Sequence, residues 1–218
     1  MHDPLRVLIG CETSGVMRRA FEACGHDAWS CDLLPAEDGS NRHIRCDIRE
    51  ILADGWDLLA VMHPPCTRLC NSGVRWLHRP PRGRTLSQMW AELDAATDLF
   101  AACWQAPIPH RAIENPVMHR HARTRLPEDL PRPQIVQPWH FGDPYFKATG
   151  WYLHGLPPLR ATDRLTPPAP GSAEHRRWSA VHRAPPGPDR ARFRSRTFPG
   201  MAAAAARQWS SHAMQEVA

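Results

Sequence analysis

Lysine is all but missing from this sequence: Lys147 stands alone among 27 Lys and Arg residues. Such reliance on arginine reflects compositional bias, so the formal charge of +5 carries little weight as a sign of a polyanionic partner. Long apolar runs are missing too. No stretch reaches the roughly eighteen residues of a membrane span, so no membrane association is expected. The opening Met1-His2-Asp3-Pro4 lacks a basic segment followed by an apolar one, so no secretory leader is expected. The seven cysteines lie between Cys11 and Cys103 without a C-x-x-C pair, which argues against a structural zinc or other metal site. Odd in number and set beside apolar runs, they read as reduced thiols of a cytoplasmic protein. No internal repeat and no G-x-G-x-x-G fingerprint occurs.

What is present is an alternation of short apolar runs and helical patterns over 218 residues, enough for one α/β domain. Strands are expected at 5–9, 26–31, 43–46, 56–62 and 111–113. Residues 135–139 and 148–153 read as a late hairpin turning through Gly142-Asp143-Pro144. A first helix follows Gly15, capped by Ser14 or Thr13, with Met17, Ala20, Phe21 and Cys24 on its apolar face and Gly25 ending it. The clearest helix covers Leu86–Trp104, where Met89, Leu93, Ala96, Phe100 and Cys103 recur at helical spacing. A last helix is expected over 200–214. Residues 67–85 read as loop, and 157–190, rich in proline, as loop or extended linker. The predicted fold is a mostly parallel, doubly wound, Rossmann-like α/β sheet with a late antiparallel hairpin.

The chain organises itself around Pro64-Pro65-Cys66. An apolar strand ends there, and the two prolines hold the backbone rigid as the thiol is presented at the strand's carboxyl end. Ligands of open α/β sheets bind along that edge, and a thiol stabilised as thiolate is a nucleophile. Cys70, one turn on, reads as structural. Gly10 to Gly15 forms a strand-to-helix turn where a ligand can approach the backbone closely. Asp32 and Asp47 end the next two strands, placed for ribose hydroxyls and an adenine edge respectively.

Taken together, Pro64-Pro65-Cys66, Glu114-Asn115 and the closing Thr197-Phe198-Pro199-Gly200-Met201-Ala202 with Gln208 resemble the motifs of cytosine-5 methyltransferases, in the usual order. Gln137-Pro138-Trp139-His140-Phe141-Gly142 is similar to the small forms that phages and prophages carry. The resemblance implies a Rossmann-like S-adenosylmethionine (SAM)-dependent methyltransferase. It implies cofactor contacts from Gly10, Glu12, Ser14, Gly15, Asp32, Leu33, Asp47, Ile48, His63, Pro64 and Thr197. The implied catalytic groups are Cys66, which adds to carbon six of cytosine, Glu114, which protonates ring nitrogen three, Asn115, and Lys147 in the place of an arginine cluster facing the base. Departures are Cys11-Glu12-Thr13-Ser14 in the first turn, His63 where a small residue is usual, Thr67 in place of glutamine, and Pro116 after Glu-Asn. Residues 157–195 replace the separate recognition domain of sequence-reading enzymes, so one catalytic domain is expected over 1–218.

The expected partner is DNA, read with short or relaxed sequence preference, and the oligomeric state is left open. Charge is split, with 12 Arg against 15 acids in residues 1–118 and a net +8 in 119–218. The Arg-rich loops 68–84 and 119–132 and the stretch from Arg176 to Arg196 are candidate phosphate contacts. Two alternatives stand beside this. The missing recognition domain suits a cytidine mononucleotide, and a catalytically silent nucleic-acid-binding module would share the fold.

Overall fold

The computed structural model describes residues 3–187, 190–195 and 197–217. In chain order its elements are β1 (Arg6–Gly10), α1 (Val16–Ala23), β2 (Asp27–Cys31), β3 (His43–Ile44), β4 (Leu58–Val61), α2 (Leu86–Trp104), β5 (His110–Glu114), α3 (Arg120–Arg123), β6 (Gln134–Val136), β7 (Thr149–His154), α4 (Ala173–Trp178), α5 (Ala180–Arg183), α6 (Arg190–Ser195) and α7 (Pro199–Val217). Single 3-10 turns lie at Ile48–Glu50, Val74–Leu77 and Pro138–His140. Among the described residues the strands form one sheet in the order β3-β2-β1-β4-β5-β7-β6. The first five run parallel, while β7 is antiparallel to both β5 and β6. This is a Rossmann-like, mostly parallel α/β sheet, with the late antiparallel hairpin in place.

Strand periodicity makes the two cores. Val7 and Ile9 of β1, Leu58 and Ala60 of β4, Ala112 of β5 and Trp151 of β7 face one side, against α1 and α7. Leu8, Leu59, Val61, Ile113 and Tyr152 face the other, against α2. Trp151 meets Trp209 of α7 edge to face at 5.2 Å, and Phe100 of α2 meets Tyr152 at 5.3 Å. The alanines at 202 and 204–206 are buried, so α7 packs closely on α1. α2 begins in a capping box in which Thr85 accepts from the Gln88 amide and the Gln88 side chain from that of Thr85.

Three expectations need correction. β6 stops at Val136, because Pro138 cannot continue the ladder and opens a 3-10 turn instead. The segment 157–190 is not bare loop: α4 and α5 bury Trp178 and Val181 against the body of the protein. The start of α1 is capped by more than Ser14: its hydroxyl does accept from the Val16 amide at 3.3 Å, but Gly15 is the N-cap residue, left-handed at φ 65°, and the Glu12 carboxylate takes the Met17 and Arg18 amides. Arg196, one of the expected phosphate contacts, lies outside the described residues. No helix among the described residues is long and apolar enough to cross a membrane.

Candidate active site

Cys66 starts a single helical turn just past β4, with the Leu69 and Cys70 amides both donating to its carbonyl at 3.0 Å. The turn is pinned to the segment after β5: the His119 amide donates to the Leu69 carbonyl at 3.0 Å, and the His119 ring bonds the Arg68 carbonyl. Gly73 closes the loop so tightly that a Cβ there would fall 1.7 Å from the Thr67 carbonyl oxygen. A segment read as loop is therefore a fixed scaffold, and the thiol of Cys66 is half-buried within it.

Glu114, at the end of β5, is buried and sits beside Cys66, its carboxylate adding to the burial that raises that thiol's pKa. Lys147 comes to the same point from the loop before β7, its backbone amide held by the Gln137 side chain at 3.0 Å. Burial lowers the pKa of its ammonium, while the charges of Glu114 and Cys66 act to raise it. Cys66, Glu114 and Lys147, expected from sequence as one catalytic set, are thus brought together. Asn115 follows Glu114, fully buried; its amide hydrogen bonds to the Gly150 carbonyl at 2.9 Å, whereas both polar atoms of its side chain are buried without a hydrogen-bond partner among the described residues.

Cys70 belongs to this cluster, and the sequence reading missed it. Its thiol neighbours that of Cys66 and lies 3.0 Å from the Ser72 hydroxyl. Interaction with Cys66, joined by the Ser72 hydroxyl and the Ser72 and Gly73 amides, pulls Cys70 well down. The same interaction, with burial and Glu114, pushes Cys66 up. Of the two thiols Cys70 is therefore the readier to ionise. The Cys-x3-Cys spacing was the available signal.

A cleft of about 170 Å³ opens at the carboxyl ends of β1 to β4, lined among others by Cys11, Asp32, Leu33, Asp47, Ile48 and His63. Burial pushes the Cys11 thiol well up and that of Cys31 to about 12, so these cleft thiols are neutral, apolar wall. Asp32 and Asp47 add carboxylates. The Asp32 carboxylate accepts from the Leu34 amide at 3.0 Å. Asp47 also caps the 3-10 turn and pairs with Arg49, whose hydrogen bond lowers its pKa. Gly10 ends β1 just before Cys11, which takes the left-handed region at φ 54°.

Five cofactor expectations are placed differently. Glu12 is buried, and its carboxylate accepts from the Met17 amide at 2.9 Å, the Arg18 amide at 3.2 Å and the Ser14 hydroxyl at 3.0 Å. Glu12 and Ser14 thus serve the start of α1, where helix amides attract a carboxylate. Gly15 lies beneath the Asp38 carboxylate. Pro64 is buried, and Pro65 lines the cleft in its stead. Thr197 lines a second cavity, of about 280 Å³, with Val16, Asp143, Tyr145 and Phe198.

No family model matches the chain, and no curated protein matches it. Among solved structures it is similar to the crystal structure of the S. pombe Dnmt2 methyltransferase, at 17% identity and a TM-score of 0.41, covering 69% of this chain and 49% of that one. It is also similar to the Entamoeba histolytica methyltransferase EhMeth, at 14% identity and a TM-score of 0.45, covering 75% of this chain and 58% of that one. The chain spans less than two thirds of the length of either.

Proposed function

We propose that this protein is a SAM-dependent methyltransferase acting on carbon five of cytosine in DNA through covalent addition of Cys66. The observation that carries the reading is the convergence of Cys66, Glu114 and Lys147 on one point beside the cleft. The cleft suits SAM: neutral thiols, Ile48 and Leu99 offer apolar faces for an aromatic ring, and Asp32 can accept from hydroxyls. Its volume is below the roughly 300 Å³ of an ordinary ligand site, so it holds only part of such a molecule. SAM, when bound, supplies the methyl group.

The chain's own residues make cytosine nucleophilic. Cys66 attacks carbon six while its proton passes to the neighbouring Cys70 sulfur, the more readily ionised of the two. Glu114 gives a proton to ring nitrogen three, so the electrons displaced from the ring double bond collect at carbon five without a buildup of negative charge. Lys147 adds a cation beside the ring. After methylation carbon five loses its proton to water, Cys66 leaves as the double bond reforms and takes its proton back from Cys70, and ring nitrogen three returns its own to Glu114. A base in duplex DNA must first be flipped out, at a cost of a few kcal/mol.

One observation favours a mononucleotide instead: residues 157–195 provide short helices packed on the body rather than a separate recognition body. Incubation with radiolabelled SAM and, in parallel, duplex DNA, single-stranded DNA and cytidine nucleotides separates these readings. Transfer to DNA that is lost in Cys66→Ala supports the proposal. Transfer to nucleotides alone replaces its substrate, and no transfer at all by a SAM-binding protein favours the silent module.

A further inference from the structure

The sequence reading assigned His63 to the cofactor, and it does line the cleft. Its ring also bridges two other groups. Nδ1 lies 3.5 Å from Oε2 of Glu114, and Nε2 lies 3.1 Å from the Thr197 hydroxyl. The three residues come from the end of β4, the end of β5 and the start of α7. Glu114 and Thr197 are both buried, so water is a poor substitute for either partner.

A neutral imidazole has one donor and one acceptor nitrogen. With the Thr197 hydroxyl donating to Nε2, the remaining N–H is on Nδ1, the nitrogen 3.5 Å from the Glu114 carboxyl. An imidazolium donates from both nitrogens, and the same hydroxyl can then accept. The ring can therefore change protonation without any heavy atom moving.

We infer that His63 is a positioning residue for Glu114, holding its carboxyl by Oε2 and stabilising the carboxylate left when Glu114 lends its proton to ring nitrogen three. This rests on the methyltransferase reading above. The proton leaves Glu114 as the bond between Cys66 and carbon six forms, and returns when that bond breaks; His63 keeps its own throughout. If His63 is already an imidazolium, it holds Glu114 ionised beforehand and no proton can be lent. Adduct formation must then slow toward acid pH, where imidazoles take up a proton. Other groups share the surroundings: Glu114 on β5, Cys66 and Cys70 after β4, Lys147 before β7, Arg194 on α6, and Asp32 and Asp47 along the cleft. A variant that alters the titration of His63 alone is needed to separate them.

The test is the rate at which SAM and oligonucleotides or nucleotides carrying 5-fluorocytosine trap an adduct on Cys66, read by mass from about pH 5.5 to 8.5. His63→Asn puts an amide N–H near the place of Nδ1 and does not titrate. It should trap faster near pH 8 than the Gln and Ala variants below and lose part of the acid-side decline. His63→Gln, whose amide reaches toward Thr197 instead, and His63→Ala should both be at least about tenfold slower at every pH. Should His63→Ala fail to fold, the contrast between Asn and Gln decides. Equal rates for Asn and Gln, or an unchanged pH profile in Asn, overturn the inference while leaving the methyltransferase reading intact. Absence of any adduct with the wild-type protein removes both.

Discussion

Replacing Cys70 by alanine sets two consequences of one pairing against each other. The Cys70 sulfur is buried, 3.0 Å from the Ser72 hydroxyl, and neighbours the Cys66 thiol. Losing one buried sulfur should cost about 1 kcal/mol, the usual scale of a point mutation and small beside the 5–15 kcal/mol of an ordinary domain. The protein should therefore fold. Attack on the pyrimidine should slow by about 100-fold, the lower end for a positioned base, or about 2.7 kcal/mol of barrier. Interaction with Cys70 is also the largest cause holding the proton on Cys66. Without it the Cys66 thiol comes down, so alkylation of Cys66 by iodoacetamide in the absence of substrate should become faster. Slower trapping with faster alkylation is a pair of opposite signs that unfolding does not produce. Trapping in Cys70→Ala within about threefold of wild type would refute Cys70 as the proton acceptor and return it to the structural role read from sequence.

Two further outcomes test the remaining parts. Glu114→Gln keeps shape and a hydrogen-bond donor but has no proton to lend, so turnover should fall about 100-fold or more while substrate binding changes far less; turnover near wild type would make Glu-Asn-Pro a plain strand end. Asp32→Ala should weaken SAM binding by about 1–3 kcal/mol, measured by calorimetry on the unreacted protein, since it removes a carboxylate from the cleft.

The sheet was legible in the sequence because its strands are short apolar runs closed by glycine, proline or acid, and their alternation sends Val7 and Ile9 one way and Leu8 the other. Pro64-Pro65-Cys66 was legible for the same local reason: proline restricts the backbone whatever surrounds it. The roles of His63 and Glu12 were not. His63 meets Thr197 across 134 residues of chain, a closure fixed only when α7 packs on α1. Glu12 lies in a turn that reads as ligand-binding from its glycines, yet the helix amides take its carboxylate first. α4 and α5 were hidden because the surrounding prolines suggested extended chain; Trp178 and Val181, apolar and three apart, were the signal passed over.

The arginines of the loops expected to meet phosphate also have partners within the fold. Loops 68–84 and 119–132 look from sequence like a store of phosphate contacts. In the fold Arg68 and Arg84 both turn to Glu92, Arg125 turns to Asp94, and Arg123 reaches the Leu130 carbonyl. Both acids lie on α2, the helix that follows the Cys66 loop, so these cations brace that loop. Glu92 is held below the usual carboxylate range chiefly by Arg68, the neighbour of the residue after Cys66. A phosphate drawn to Arg68 must compete with Glu92 for it, and in doing so pulls on the turn that carries the nucleophile. Any phosphate held at Arg68 would therefore be coupled to the setting of Cys66 through two residues of backbone.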